Sequence, residues 1–311
     1  MDSSDGVPAN VALSGTLPIQ TRKVTMSDSG QFTHTTAPNQ YVQAGGTTFA
    51  YRRFGKVTDG VPLVFQQQFT ANMDNWDPLV IDLFAQDREV VLFDNVGIGN
   101  STGSVPTRVE AMAADAGAFI DALGLTTVDL LGFSLGGILT QLLAKDRPDL
   151  VRKLILVGAG PRGGVGMQEF TPRVNELFAT EYEDPEQMWL PLFFTETEES
   201  RSAGQAFIDR TQLRTKDRSP RSGPEVAGAQ IEAIREWGLL SEGSYNYLHD
   251  IKQPTLVVNG DDDMIVSSVN SWIMQQEIPN AQLHIFPDSG HGSWGQYPEL
   301  FHKYASIFLN N

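Results

Sequence analysis

The chain has 311 residues, 41% hydrophobic and 19% charged, with no cysteine and a formal net charge of −16. That length and apolar content suit one large globular domain with an insertion, or two small ones, while the acidity and the lack of any Lys/Arg-rich run exclude a nucleic-acid binder. No stretch approaches the roughly eighteen consecutive apolar residues of a membrane span, and without cysteine there are no disulfides, thiolate metal sites or cysteine nucleophile. The opening Met1-Asp2-Ser3-Ser4-Asp5 has neither the basic region nor the apolar run of a secretory signal, so a cytoplasmic location is expected.

Residues 1–39 are rich in Ser, Thr, Asp, Gly and Pro without a sustained period, and are expected to form a flexible N-terminal arm. From Tyr41 to Tyr51 two short strands are expected around Gly45-Gly46. Short apolar runs follow, each bounded by turn residues: Pro62–Phe65, Val90–Phe93, Val128–Leu131, Lys153–Val157 and Thr255–Val258. Such short runs, which lack strict alternation, fit strands covered on both faces, and helical patterns lie between them. One of these has apolar residues at Met112, Ala116, Phe119, Ile120 and Leu123, and Thr107-x-x-Glu110 reads as its capping box. The alternation predicts a doubly wound, mostly parallel α/β sheet. The stretch 162–247 breaks the rhythm. It offers helix starts at Asp184-Pro185-Glu186 and Gly223-Pro224-Glu225 but no core strand, and is expected to be an inserted helical cap. The core is then 40–161 with 248–311.

Two pentapeptides match G-x-S-x-G, and context separates them. Gly132-Phe133-Ser134-Leu135-Gly136 follows an apolar strand and opens the helical run Ile138–Ala144, the strand–turn–helix setting a nucleophilic serine needs. Gly99-Asn100-Ser101-Thr102-Gly103 leads instead into a polar loop with Pro106, and is read as a structural turn. A serine hydroxyl requires a neighbouring base. Of five histidines, His34 lies in the arm, His249 near the cap boundary, His284 in a strand and His302 in a C-terminal helix. His291, in the loop Pro287-Asp288-Ser289-Gly290-His291-Gly292, is the candidate. The base needs a carboxylate, and the turn after Val258 supplies Asp261, Asp262 and Asp263. Adjacent carboxylates repel, so one of the three is expected to be buried and paired.

With these motifs in place, the chain from about Tyr41 to Leu309 resembles the α/β-hydrolase-fold superfamily, in particular its serine hydrolases with a helical lid. The resemblance rests on the elbow Gly132–Gly137, the turns Asp94–Ser101 and Gly260–Asp263, and the Ser289–Gly292 loop. It implies a Ser134–His291–Asp263 triad, since the family's acid lies three residues after the glycine of the Gly-Asp-x-Asp turn, with Asp261 bonding the turn. It places an oxyanion hole at the backbone N–H groups of Phe69 and Leu135. Here the chain departs from its relatives, which often have His-Gly where this sequence has Gln66-Gln67-Gln68-Phe69, and Gln68 is the alternative donor.

The activity implied is hydrolysis of a carboxylic ester or lactone through an acyl-enzyme, without cofactor or metal. Esters are preferred because an amide leaving group asks for further machinery. The alternatives are a cofactor-free lyase or perhydrolase on the same fold, or a ligand sensor with little turnover. Trp76, Trp189, Phe193, Phe194, Trp237 and Trp294 are the candidate lining of an apolar pocket for a small-molecule substrate. Neither nucleic acid nor membrane is an expected partner, and a homo-oligomer is left open.

Overall fold

Gly45 and Gly46 both take positive φ, +55° and +85°, and so close a tight hairpin between β1 (Gln40–Ala44) and β2 (Thr47–Gly55) in the computed structural model, which describes residues 32–57 and 60–311. The apolar runs become β3 (Leu63–Gln66), β4 (Glu89–Phe93), β5 (Val128–Phe133), β6 (Val151–Val157) and β7 (Thr255–Gly260), with β8 (Ala281–Phe286) at the edge. They form one sheet in the order β1-β2-β4-β3-β5-β6-β7-β8. β2 runs antiparallel to both its neighbours, and every other pairing is parallel.

Successive residues of one strand feed opposite cores, which is why these runs do not alternate. Val64, Leu130 and Leu156 pack on one face with Phe119, Ile138 and Leu139, whereas Phe65, Leu131 and Val157 pack on the other with Phe84, Trp294 and Phe301. The covering helices are α1 (Pro78–Asp87), α2 (Val109–Ala122) and α3 (Leu135–Asp146). α2 departs from the expected capping box. Its N-cap is Arg108, which makes no side-chain cap bond, and Glu110 pairs with Arg162 and Arg108.

Between β6 and β7 lie α4 (Pro172–Ala179), α5 (Trp189–Phe193), α6 (Glu198–Thr211) and α7 (Pro224–Trp237). α7 begins at the expected proline, and Asp184 caps a short 3-10 turn, Pro185–Met188, that runs into α5. This segment is tied to the sheet layer by a two-pronged ion pair. Arg210 on α6 donates at 2.8 and 2.6 Å to Asp77, the buried N-cap residue of α1. The chain finishes with α8 (Val269–Glu277), α9 (Ser293–Gln296) and α10 (Pro298–Asn310). Among the described residues no helix is long and apolar enough to cross a membrane.

The expected flexible arm requires a correction at its C-terminal end, and residues 1–31 lie outside the described residues. From residue 32 onward the segment is packed. His34 and Ala37 are completely buried, the His34 N–H donates to Asp82 at 2.7 Å, and Arg214 donates to the carbonyls of Thr35 and Ala37 at 3.0 and 2.9 Å. The anchoring groups are backbone carbonyls and a distant arginine, which leave no periodic trace in the arm's own sequence.

Candidate active site

Ser134 follows the last residue of β5 and precedes α3, at φ +54° and ψ −119°, a conformation that costs energy for any residue with a Cβ. The neighbouring backbone holds it there. Its N–H donates to Val157 O at 2.8 Å, and its carbonyl accepts from Gly137 and Ile138. The flanking glycines have a steric reason. A Cβ on Gly132 would lie 2.4 Å from Gly136 O, and one on Gly136 would lie 2.1 Å from Gln66 O, so β3, β5 and α3 meet backbone to backbone. The resulting turn presents the Ser134 side chain at a helix N-terminus, where the local dipole favours negative charge. The second pentapeptide differs. Ser101 is buried, donates to Asp94 O at 2.6 Å and accepts from Ala50 N, which fixes a loop.

His291 stands in the loop after β8, its ring buried against Phe133 and Phe193 at centroid distances of 4.9 and 5.5 Å. Room for it depends on Gly158, at φ +53°, where a Cβ would come within 3.0 Å of the imidazole. The glycines beside the histidine serve packing as well as reach, because a Cβ on Gly290 would lie 2.7 Å from Phe193 O.

Nδ1 of His291 bonds Asp263 Oδ2 at 2.7 Å, with both side chains sealed from solvent. The other oxygen, Oδ1, accepts from the N–H groups of Ile265 and Val266 at 2.9 Å each. A carboxylate only accepts, so Nδ1 is the donor in this pair. Of the other two aspartates, Asp261 accepts from Ser289 N at 3.1 Å, and both Asp261 and Asp262 are exposed. The remaining histidines lie elsewhere: His249 pairs with Glu277, His302 lies near Asp87, and His284 is in β8.

The loop after β3 approaches the same place. The Gln68 N–H donates to its neighbour's Gln67 Oε1 at 3.0 Å, and the Thr70 N–H donates to Gln230 Oε1 at 2.6 Å. The Phe69 N–H between them has no partner among the described residues.

Ser134 and His291 line a common pocket, with Phe69 and Leu135 also in its wall. Segment 162–247 supplies much of the remaining wall, including Met167, Phe170, Phe178 and Met188. Of the six aromatic residues expected there, Trp189 and Phe193 line it, stacked with an interplanar angle of 3°. Trp76, Phe194, Trp237 and Trp294 do not, a correction to the expectation. Trp76 and Trp294 pack edge to face in the core at 5.2 Å, and Phe194 packs on Phe207. Trp237 is buried beneath the Arg162 guanidinium, 4.4 Å from its ring, and donates Nε1–H to Gly160 O.

The family defined by the α/β hydrolase fold matches residues 61–294 of the sequence. The chain belongs to the α/β-hydrolase-fold family. This α/β-hydrolase-fold chain is 32% identical over 241 residues to the poly(3-hydroxyalkanoate) depolymerase of Ectopseudomonas oleovorans, spanning 74% of this chain and 77% of that one. It is 29% identical over 221 residues to the 2-hydroxy-6-oxo-2,4-heptadienoate hydrolase of Pseudomonas putida, spanning 70% and 76%. The solved structure of an α/β-hydrolase-fold protein from Chitinophaga pinensis superposes with a TM-score of 0.85 at 40% identity, covering 90% of this chain and all of that one. Hydrolysis is the activity these relatives support for the α/β-hydrolase-fold chain.

Proposed function

We propose that the chain is a serine hydrolase that cleaves a carboxylic ester or lactone through Ser134, His291 and Asp263. The observation that carries this reading is the buried 2.7 Å bond to Asp263 from Nδ1 of His291, which lines the same pocket as Ser134. Nε2 takes the Ser134 hydroxyl proton as Oγ attacks the acyl carbon, and Asp263 stabilises the imidazolium that forms. The carbonyl π pair moves onto oxygen, facing the N–H groups of Phe69 and Leu135. The choice of Phe69 over Gln68 rests on the Gln68 N–H being already bonded to Gln67. The tetrahedral intermediate collapses as the imidazolium protonates the leaving alkoxide. Water then attacks the acyl-enzyme by the same steps in reverse.

Segment 162–247 acts as a cap in this proposal, since its Met167, Phe178 and Trp189 side chains close the pocket over Ser134. An apolar acyl group suits that wall. Gln68 supplies a polar contact in it, because its buried Oε1 has no partner among the described residues and the residue lines the pocket. The test is turnover of p-nitrophenyl esters of graded acyl length by the wild type and by Ser134→Ala. Turnover that Ser134→Ala abolishes is expected. Tight ligand binding with no turnover of any ester or lactone would overturn the reading in favour of a sensor.

A further inference from the structure

Thr70 is a β-branched residue at φ +57°, where such side chains are outliers. Strain of this kind persists only where surrounding contacts hold it. Both backbone groups of Thr70 are held, and both partners come from the segment between β6 and β7. Its N–H donates to Oε1 of Gln230 on α7 at 2.6 Å, and its carbonyl accepts from Ser222 Oγ at 2.6 Å. Gln230 is 3% exposed. Two more contacts join the same loop to the same segment: Asn72 Nδ2 donates to Pro220 O at 3.2 Å, and the Phe69 ring packs on Phe178 of α4 at 6.0 Å.

We infer that Gln230 and Ser222 are positioning residues that complete the oxyanion hole from the cap side, holding Thr70 left-handed so that the preceding N–H, Phe69, faces the pocket. The inference rests on the Ser134 hydrolase reading above and adds to it that cap and oxyanion loop form one catalytic unit. Thr70 shares its peptide chain with the donor, so releasing its N–H lets φ relax and rotates the Phe69–Thr70 unit. A donor displaced in this way loses transition-state stabilisation while leaving the apolar pocket that binds the ground state.

The test is Gln230→Leu, which removes the acceptor at similar size. The expected result is a fall in kcat of about tenfold or more with KM changed by less than about twofold, because the loss falls on the transition state. Affinity for a trifluoromethyl ketone, whose serine adduct carries the oxyanion, should fall by a similar factor. Adding Thr70→Gly should restore part of kcat, since glycine holds positive φ without strain. Ser222→Ala, on a less buried partner, gives the same pattern more mildly and serves if Gln230→Leu folds poorly. Unchanged kcat and inhibitor affinity in a folded Gln230→Leu, or loss confined to KM, would overturn the inference. Hydrogen exchange over residues 66–75 reads the clamp without any turnover. Faster exchange in Gln230→Leu supports it and unchanged exchange refutes it, even if Ser134 proves not to be a nucleophile.

Discussion

Asp263→Asn should cripple the enzyme while leaving its fold intact, and the structure shows why the amide cannot substitute. Oδ1 of Asp263 accepts two backbone N–H groups, from Ile265 and Val266, each at 2.9 Å. An asparagine must keep its carbonyl oxygen there, or leave two donors facing an NH2 group. Its amide nitrogen is then turned toward His291 Nδ1, which now has to accept a hydrogen bond. The ring proton moves to Nε2, so the imidazole can no longer take the Ser134 proton. Loss of tautomer control costs about 10⁴-fold in kcat in comparable triads, equivalent to about 5 kcal/mol of barrier. Asp262 is exposed and makes no such bonds, so Asp262→Asn should leave kcat nearly unchanged. Steady-state hydrolysis of a p-nitrophenyl ester, with circular dichroism to verify folding, measures both variants. An Asp263→Asn enzyme within about tenfold of wild type, or an inactive Asp262→Asn, would refute the reasoning.

His34 provides a pH test of stability. Burial, helped by the nearby Arg52 guanidinium, lowers its imidazole from 6.5 to about 4, so the folded state holds it neutral and its contribution is lost as pH falls from 6.5 through 4. Urea melts should therefore show wild type losing about 3 kcal/mol more than His34→Gln between pH 7 and pH 4, and parallel curves would contradict this. Gly136→Ala places a Cβ 2.1 Å from the Gln66 carbonyl oxygen and should cost about 2–3 kcal/mol of stability together with activity; a neutral melting temperature would show that β3 and α3 separate easily. Trp237→Ala should act on stability, at about 3–5 kcal/mol, whereas Trp189→Ala should change the preference for long over short acyl chains by about tenfold, and a reversal of these two outcomes would misassign the pocket wall.

The strands were legible because a sheet covered on both faces demands short, mostly apolar runs bounded by turn residues, as Val90–Phe93 is; Val128–Leu131 fits despite Asp129, whose buried carboxylate is paired with Arg88 and Arg152. The placement of Ser134 on its strand–helix turn, and of His291 in a loop lining the same pocket, was legible for a related reason. Each needs glycine where backbones or rings meet within a few ångströms, as Gly132, Gly136 and Gly290 do, and glycine at fixed offsets can be seen in a sequence. Asp263 was different. Its residues alone left three aspartates open, because the choice depends on which carboxylate receives the N–H groups of Ile265 and Val266. The pocket wall was least legible. Trp189 and Trp237 look alike as isolated aromatics in a helical stretch, and what separates them is a long-range event, Arg162 closing over one ring. Phe170 and Phe178 meet only once α4 has folded, at 5.2 Å between ring centroids. His34 went unread for the same reason, since its partners Asp82 and Met73 lie about forty or more residues away.

The most direct measurement is covalent labelling with a fluorophosphonate, followed by mass spectrometry of the modified peptide. An unassisted serine reacts negligibly at neutral pH, whereas one beside a positioned imidazole and a helix N-terminus reacts quickly. Among 20 serines in the chain, a single adduct on Ser134 is predicted, lost in Ser134→Ala, sharply reduced in His291→Ala and retained in Ser101→Ala. An adduct on Ser101, or none on a well-folded sample, would contradict the assignment of Ser134 as the nucleophile.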